Sequence, residues 1–369
     1  MKNNKSSVQI ELGAGSVNKL PEMLSAIGHK VLLVHGHRPV EDGLLAQVRL
    51  ILNKAGFPHA NLGQILPNPK YDSVKRGIQT ARKEHCDIIL SLGGGSTLQC
   101  AKGIALGLYY NGDVWDFWTG KKSPKKTAPV CSILTNPESG AELSTGCTIV
   151  RKGKQKKIHL PELACSFAIL DPTLSMYPFY PTMNQIFGLF ETLFFASLEK
   201  EGREREDAIN LMKRLFTTID GLETDIRSIP ARTELYRVGL ETHEELNSIQ
   251  IGFSKLADQL SFACSLPAGS AASALFYVWC SKQDEAIKEL IAQLGTSLVN
   301  LENPTFEQTM ERFLQTFTDM KMPLSIPQTG LVLDDDTLEA LASNKKQKKL
   351  LKEANKDLDL EKLRLFKTE

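Results

Sequence analysis

The chain has 369 residues, with 44 basic and 43 acidic side chains and a formal net charge of +1. This length predicts about two domains, and 42% hydrophobic with 24% charged residues is typical of globular proteins. The composition excludes a disordered chain. The balanced charge gives no electrostatic footprint for nucleic acid or an acidic membrane surface.

Cysteine usage and the first residues predict a cytoplasmic protein. The seven cysteines include no C-x-x-C pair, which disfavours both a disulfide framework and a structural zinc site. The opening MKNNKSSVQIEL is polar, unlike a signal peptide. The longest apolar run, AASALFYVWC, is too short to span a bilayer of roughly 30 Å. We therefore expect no nucleic-acid partner and no membrane partner.

The first half alternates short apolar runs with amphipathic stretches. The apolar runs are VLLVHG (31–36), DIILSLGGGS (87–96), PVCSILT (129–135) and FAILDP (167–172). Continuous apolar runs are typical of strands covered on both faces, so we expect an α/β domain with a mostly parallel sheet. The basic segment CTIVRKGKQKKIHL (147–160) predicts a hairpin at the edge of that sheet.

The second half has the pattern of helices. Apolar residues recur at three- and four-residue spacing, for example in residues 185–207 and 243–263. Strand patterns are almost absent after Pro181. This half is therefore expected to be all-helical.

Three prolines between residues 172 and 181 mark the expected domain boundary. We assign residues 1–175 to the α/β nucleotide-binding domain and residues 176–369 to the helical domain. The charged tail from Asn344 predicts an amphipathic helix with a solvated lysine face.

The segment SLGGGSTLQCAK (91–102) carries the clearest chemistry. A strand ends in three glycines, and a helix is predicted to begin near Ser96, with Ser96 and Thr97 as capping residues. Glycines let a backbone approach a diphosphate, and a helix N-terminus offers unpaired N–H groups. We therefore expect phosphate binding here, with a plain strand-to-helix turn as the alternative. The turn is not the G-x-G-x-x-G fingerprint of an ordinary Rossmann domain.

This turn and several other motifs resemble the iron-containing alcohol dehydrogenase family, in its butanol dehydrogenase-like branch. GGGSTLQCAK is similar to the family signature GGGSxxDxAK. Further matching segments are GAGSV (13–17), LPNP (66–69), GDVWDFWTGK (112–121), TNPESGAE (135–142) and AILDP (168–172). The resemblance implies the dehydroquinate synthase-like fold, in which an α/β domain binds NAD(P) and an all-helical domain binds a divalent metal. It also implies that alcohols are interconverted with aldehydes.

The resemblance assigns the cofactor-binding residues. They are Gly94, Gly95 and Ser96 for the diphosphate, with Thr135, Asn68 and the signature lysine Lys102. Gln99 replaces the signature aspartate and so loses its charge. Segment HGHR (35–38) has no acidic residue to bind a ribose 2′-hydroxyl, and His37 and Arg38 would tolerate a 2′-phosphate. NADP is therefore favoured over NAD as the cofactor.

Most metal ligands of the family are missing. The family holds iron or zinc through one aspartate and three histidines, whose positions correspond to Glu191, Phe195, Ser254 and Ala268. A further family histidine corresponds to Asp258. Phenylalanine and alanine cannot coordinate a metal, so we expect no tightly bound iron or zinc.

Without a metal, the proton for a carbonyl substrate must come from the protein. Glu191 and Asp258 are the candidate catalytic residues. Further titratable groups to consider are Lys157, His159 and Lys255. A carboxyl group among apolar rings would be protonated near neutral pH, although core packing is the favoured interpretation of those rings. The rings are Phe187, Phe190, Phe194 and Phe195.

Two functions stay open at this point. The first is an NAD(P)-dependent oxidoreductase that acts on a small alcohol, aldehyde or ketone without iron or zinc. The alternative is a non-catalytic family member that binds nucleotide but has lost dehydrogenase activity. The sugar-phosphate cyclase relatives of the family rank last, because their chemistry also relies on the metal. The expected partner is a small-molecule substrate, and a homodimer is one option for assembly.

Overall fold

The computed structural model describes residues 8–246 and 252–358 of the chain. The described residues form two compact units, which divide between Met176 and Tyr177. The first unit is an α/β structure, and the second is built of helices. Within the described ranges, no helix is both long and apolar enough to cross a membrane.

A parallel sheet forms the centre of the first unit. The strands of this unit are β1 (Gln9–Leu12), β2 (Val31–His35), β3 (His59–Leu62), β4 (Ile88–Gly93), β5 (Val130–Leu134), β6 (Gly146–Arg151), β7 (Lys154–His159) and β8 (Phe167–Leu170). Six of them form one sheet in the order β1-β8-β5-β4-β2-β3, with every adjacent pair parallel. The four apolar runs form β2, β4, β5 and β8, because helices bury both faces of the sheet.

Helices cover the sheet on both sides. The helices of the first unit are α1 (Leu20–Ser25), α2 (Arg38–Glu41), α3 (Leu44–Lys54), α4 (Tyr71–Lys83), α5 (Gly95–Gly107) and α6 (Trp115–Trp118). On one side, Val48 of α3 belongs to a buried cluster with Leu33 and Leu90 of the sheet. On the other side, α4 and α5 pack so closely that a Cβ at Gly77 would lie 2.3 Å from Cδ1 of Ile104.

The strand order places a topological switch between β2 and β4. From β2 the chain moves outward to β3, then crosses back to β4 and continues on the opposite side to β5. The loops after β2 and β4 therefore leave the sheet in opposite directions and open a crevice at the carboxyl ends of these strands. Open α/β sheets bind their ligands at such a point.

The basic segment forms the expected hairpin but is not part of the main sheet. Strands β6 and β7 pair antiparallel with each other in a separate two-stranded sheet. The prediction that this hairpin extends the sheet edge is therefore wrong. Lys152 and Gly153 form its turn, with φ angles of 51° and 74°. A bridge between Val150 and Lys70 holds the hairpin against the loop that precedes α4.

The second unit consists of packed helices. They are α7 (Phe179–Glu199), α8 (Gly202–Thr224), α9 (Ile229–Glu245), α10 (Ser254–Cys264), α11 (Ala268–Ser281), α12 (Glu285–Val299), α13 (Phe306–Asp319), α14 (Asp335–Leu341) and α15 (Lys345–Ala354). The helical pattern over 185–207 is interrupted, because Lys200 and Glu201 adopt extended backbone. The fold class predicted from the sequence, an α/β domain followed by an all-helical one, is confirmed.

The charged tail begins with helix α15, as predicted. The Asn344 side chain caps it by accepting a hydrogen bond from the backbone N–H of Gln347 at 2.9 Å. Leu351 is completely buried while the first lysines are exposed, so the helix is amphipathic. The tail beyond residue 358 lies outside the described residues.

Phenylalanine rings fill the centre of the helical unit. The ring centroid of Phe190 lies 5.2–5.7 Å from those of four neighbours. These neighbours are Phe187, Phe194, Phe276 and Phe317. The four rings for which the sequence favoured core packing are at most 2% exposed, which confirms that interpretation. They are Phe187, Phe190, Phe194 and Phe195.

Replacing Phe190 with alanine is expected to lower the free energy of unfolding by about 3–5 kcal/mol, because the neighbouring rings fill the resulting cavity only partly. Chemical denaturation followed by circular dichroism measures the change. Val332→Ala is the control: Val332 is 89% exposed, and we expect a change within about 0.5 kcal/mol. Equal effects of the two substitutions would contradict the assigned core.

Candidate functional site

The glycine turn after β4 presents bare backbone at the topological switch. Gly93 has a φ of 139°, a conformation that side chains disfavour. The first residue of α5 is Gly95, and Gly94 is its N-cap without any side-chain capping bond. The predicted capping by Ser96 and Thr97 is therefore wrong, because the helix begins before them. The N–H groups at such a helix start have no intrahelical acceptor and are available to an anion.

The loop after β5 lies directly against this turn. The backbone N–H of Thr135 donates to the carbonyl oxygen of Gly93 at 3.0 Å. A Cβ built on Gly94 would lie 3.3 Å from Cβ of Asn136, and one on Gly95 would lie 3.0 Å from Cβ of Ser139. The absence of side chains on the two glycines is thus what lets the loop approach so closely.

A third loop, between β3 and α4, reaches the same turn. The backbone N–H of Asn68 donates to Oγ of Ser96 at 3.4 Å. Asn68 has a φ of 54°, and its Oδ1 accepts a hydrogen bond from Nε2 of Gln155 on the hairpin at 3.0 Å. The structure therefore brings together the residues proposed for the diphosphate with Thr135 and Asn68.

His37 and Arg38 follow β2 and are paired with acidic residues of the same short helix. Nε of Arg38 lies 2.8 Å from Oδ2 of Asp42, and Nε2 of His37 lies 3.7 Å from Oε1 of Glu41. Sequence reasoning weighed only residues 35–38 and missed these two carboxylates. The i,i+4 spacing on a helix was the signal that could have found them.

Lys102 is completely buried, and its ammonium group lies against the loop after β5. Its Nζ donates to the carbonyl oxygens of Ala141 at 2.7 Å, Gly146 at 3.4 Å and Ser144. Burial lowers the pKa of this ammonium. The resemblance implied that Lys102 contacts the cofactor; in the structure backbone carbonyls occupy its donors instead.

Glu142 is a buried carboxylic acid that the sequence did not single out. It lies in the same loop, 1% exposed, and its Oε2 has no hydrogen-bond partner in the described part of the chain. Burial raises its pKa to about 7, against the opposing effects of Lys102 and of a hydrogen bond with Ser139. The sequence did not indicate that Glu142 is buried, because acidic side chains are usually exposed.

In the helical unit, two of the four family metal positions meet. Oγ of Ser254 donates to Oε1 of Glu191 at 2.8 Å. Burial raises the pKa of Glu191 to about 7, and the negative charge of Asp258 raises it further, while the Ser254 hydrogen bond opposes both. Asp258 is exposed on α10, and Ala268 is exposed at the start of α11.

The third metal position is filled by packing. The Phe195 ring lies 5.3 Å from that of Phe253 and 5.1 Å from that of Trp279, between centroids. A Cβ on Gly252 would lie 2.3 Å from the Phe195 ring, so backbone closes over it. One carboxylate and one hydroxyl fit an iron or zinc site poorly, since such sites usually have three or four ligands that include imidazole or thiolate. Over residues 8–246 and 252–358, no three histidine, cysteine or acidic side chains cluster to hold a metal.

The remaining titratable candidates lie apart from Glu191 in the chain. Lys157 and His159 belong to β7, and the pKa of His159 is lowered by partial burial and by the charges of Lys157 and Lys102. Lys255 is exposed on α10.

Comparison with known proteins gives related dehydrogenases. Residues 7–172 match the model of the family iron-containing alcohol dehydrogenase. The chain is 30% identical over 236 residues to the probable NADH-dependent butanol dehydrogenase 1 of Bacillus subtilis, covering 62% of this chain and 60% of that protein. It is 31% identical over 169 residues to the NADPH-dependent aldehyde reductase YqhD of Escherichia coli, covering 44% and 43%. The chain thus spans 60% or less of the length of these relatives.

Solved structures share the whole fold. NADH-dependent butanol dehydrogenase A of Thermotoga maritima gives a TM-score of 0.80 at 21% identity, covering 97% of this chain and 96% of that one. The Escherichia coli aldehyde reductase gives 0.81 at 18% identity, covering 95% and 98%. The fold is therefore that of these alcohol dehydrogenase and aldehyde reductase structures. The match to the iron-containing alcohol dehydrogenase family is carried by the α/β half of the chain.

We expect Glu191→Gln to remove a pH dependence of stability. The raised pKa means that the folded protein holds the Glu191 proton more tightly than the unfolded chain does. The free energy of unfolding of the wild type therefore falls as the pH rises from about 4.5 to about 7. Glutamine keeps an oxygen for Ser254 and carries no charge, so the part of this loss that comes from Glu191 should disappear, while the part that comes from Glu142 remains.

Denaturation at a series of pH values measures the effect. Glu206→Gln, at an exposed position of α8, is the matched control and should keep the wild-type profile. Parallel profiles for Glu191→Gln and the wild type would contradict the raised pKa.

Proposed function

We propose that the chain is an NAD(P)-dependent oxidoreductase that interconverts a small alcohol with an aldehyde or ketone, without tightly bound iron or zinc. The observation that carries the proposal is the bare glycine turn at the switch between β2 and β4. It lies in the part of the chain that matches the dehydrogenase family. The relatives named above, which use NADH or NADPH, support the same reaction class.

The residues around the turn suit a dinucleotide. Gly94, Gly95 and Ser96 would bind the diphosphate through N–H groups at the start of α5. Thr135 and Asn68 would line the nucleotide on either side of the turn, since both already bond to it. When bound, the nicotinamide supplies hydride to the carbonyl carbon.

NADP is the proposed cofactor, with NAD as the less favoured alternative. His37 and Arg38 stand after β2, where a ribose 2′-phosphate is recognised in related architectures. The pairing of Arg38 with Asp42 offsets the positive charge of its guanidinium group. We therefore expect a moderate preference for NADPH, not an absolute one.

The proton for the carbonyl oxygen is proposed to come from a carboxyl group of the helical unit. Glu191 has a pKa of about 7, so a substantial fraction carries a proton at neutral pH and can donate it. Asp258 lies close enough to affect that pKa and is the second candidate. In the reverse direction the same carboxylate would accept the proton of the alcohol.

The direct test is NADPH consumption by chelator-treated protein across a panel of small aldehydes. We expect turnover with NADPH above that with NADH, and no increase when iron or zinc is added. Metal analysis of the untreated protein should give far less than one iron or zinc per chain. Glu191→Gln should lower kcat about 10²-fold or more, as loss of a general acid does, and leave NADPH binding unchanged.

Two results would overturn parts of the proposal. Turnover that appears only with added iron or zinc would contradict the metal-free site. Tight NADPH binding without turnover on any aldehyde would favour the non-catalytic family member instead.

The glycine turn has its own test. Gly95→Ala should weaken NADPH binding about tenfold, equivalent to about 1.4 kcal/mol, because the new Cβ pushes against Ser139 at 3.0 Å. The double variant Gly95→Ala with Ser139→Gly removes the opposing Cβ and should recover part of the affinity, since it also removes the Ser139 hydroxyl that accepts from Ala141. Calorimetric titration measures both. Unchanged binding by Gly95→Ala would place the dinucleotide elsewhere.

A further inference from the structure

Helix α5 holds the loop that faces the glycine turn through one buried ammonium group. The three carbonyl oxygens around Nζ of Lys102 belong to residues 141, 144 and 146. A lysine ammonium has three protons and no acceptor, so these bonds occupy its full donor capacity. The loop end, residues 141–146, is thereby attached to the middle of α5.

A second side chain of α5 attaches the chain just beyond this point. Oε1 of Gln99 accepts a hydrogen bond from the backbone N–H of Thr148 at 2.9 Å. Gln99 and Lys102 are three residues apart and so lie on the same face of the helix. This face of α5 therefore fixes the path of residues 141–148.

The other end of the same loop forms the wall of the candidate diphosphate site. The Cβ of Asn136 is 3.3 Å from the position that a Cβ on Gly94 would occupy. The Cβ of Ser139 is 3.0 Å from the corresponding position on Gly95. Ser139 also connects this wall to the anchored part, because its Oγ accepts a hydrogen bond from the N–H of Ala141 at 3.4 Å. The carbonyl of Ala141 is in turn one of those held by Lys102.

We propose that Lys102 is a positioning residue for dinucleotide binding, a role that rests on the proposed function. By holding residues 141–146 on α5, it sets the distance between the polar wall at 136–139 and the N–H groups of the glycine turn. Its ammonium acts through the loop and does not contact the nucleotide. Without it, three buried carbonyls lose their donor, and the loop moves toward water to satisfy them.

Lys102→Met tests this role, because methionine keeps an unbranched chain but donates no hydrogen bond. We expect the Kd for NADPH to rise about tenfold or more, as for the loss of charged hydrogen bonds. Hydrogen exchange should become faster at residues 141–146 and stay unchanged in β4. At saturating NADPH, kcat and the KM for aldehyde should change much less than the Kd for NADPH.

Lys83→Met is the matched control. Lys83 lies in the last turn of α4, exposed to solvent, and its replacement should leave the Kd for NADPH and the exchange pattern unchanged. Gln99→Leu is the second variant, which removes only the attachment at Thr148. It should raise the Kd about threefold, as expected for one neutral hydrogen bond.

The outcomes separate the positioning role from mere stabilisation. A folded Lys102→Met protein with faster exchange in the loop and wild-type affinity for NADPH would overturn the proposal. If Lys102→Met does not fold, wild-type affinity in Gln99→Leu with faster exchange at 141–148 would overturn it equally. A wild-type protein that binds no dinucleotide would instead overturn the proposed function.

Discussion

Close approach of two backbone segments is the constraint on which the candidate nucleotide site depends. The turn at 93–96 and the loop at 135–139 meet so closely that a Cβ on Gly94 or Gly95 would push the loop away by a few tenths of an ångström. The same absence of side chains leaves the first N–H groups of α5 open to an anion. One set of glycines thus serves both the packing of the protein and the chemistry of its ligand.

The loop that completes this site cannot be held by hydrophobic burial. Its sequence from residue 139 to 145, SGAELST, offers one large apolar side chain. Hydrogen bonds from α5 replace apolar contacts, and this requires taking an ammonium group and a carboxyl group out of water. The pKa of Lys102 falls and that of Glu142 rises because of this desolvation. A polar loop of fixed shape is the result.

Much of the architecture could be read from the sequence, and particular residues explain where the reading failed. Strands β2, β4, β5 and β8 are continuous apolar runs, and only a sheet covered on both faces buries such runs completely. The position of the hairpin was not predicted correctly, because the lysines at 154–157 indicate exposure but do not show which strands pair with the hairpin. The start of α5 was predicted too late in the chain, because Ser96 and Thr97 are common capping residues, whereas the N-cap in the structure is Gly94. Lys102 was predicted to contact the cofactor because its sequence neighbours do not reveal its partners, which are carbonyl groups about 40 positions away.

In the helical unit the sequence identified the residues at the family's metal positions but not the surroundings of those residues. Burial of Glu191 and its bond to Ser254 depend on how α7 and α10 pack, which spacing along one helix does not reveal. The phenylalanines were read correctly as core, since rings at three- and four-residue spacing pack on one face.

The Phe195 packing has an evolutionary consequence. Its ring is enclosed by Phe253, Trp279 and the backbone at Gly252. A histidine placed at this position would bury an imidazole among these rings, and such burial is destabilising unless the ring finds hydrogen-bond partners. If Phe195 replaced a histidine, as the resemblance to the family implies, the reverse change would lose stability before any metal could bind. Such a replacement would therefore be difficult to reverse.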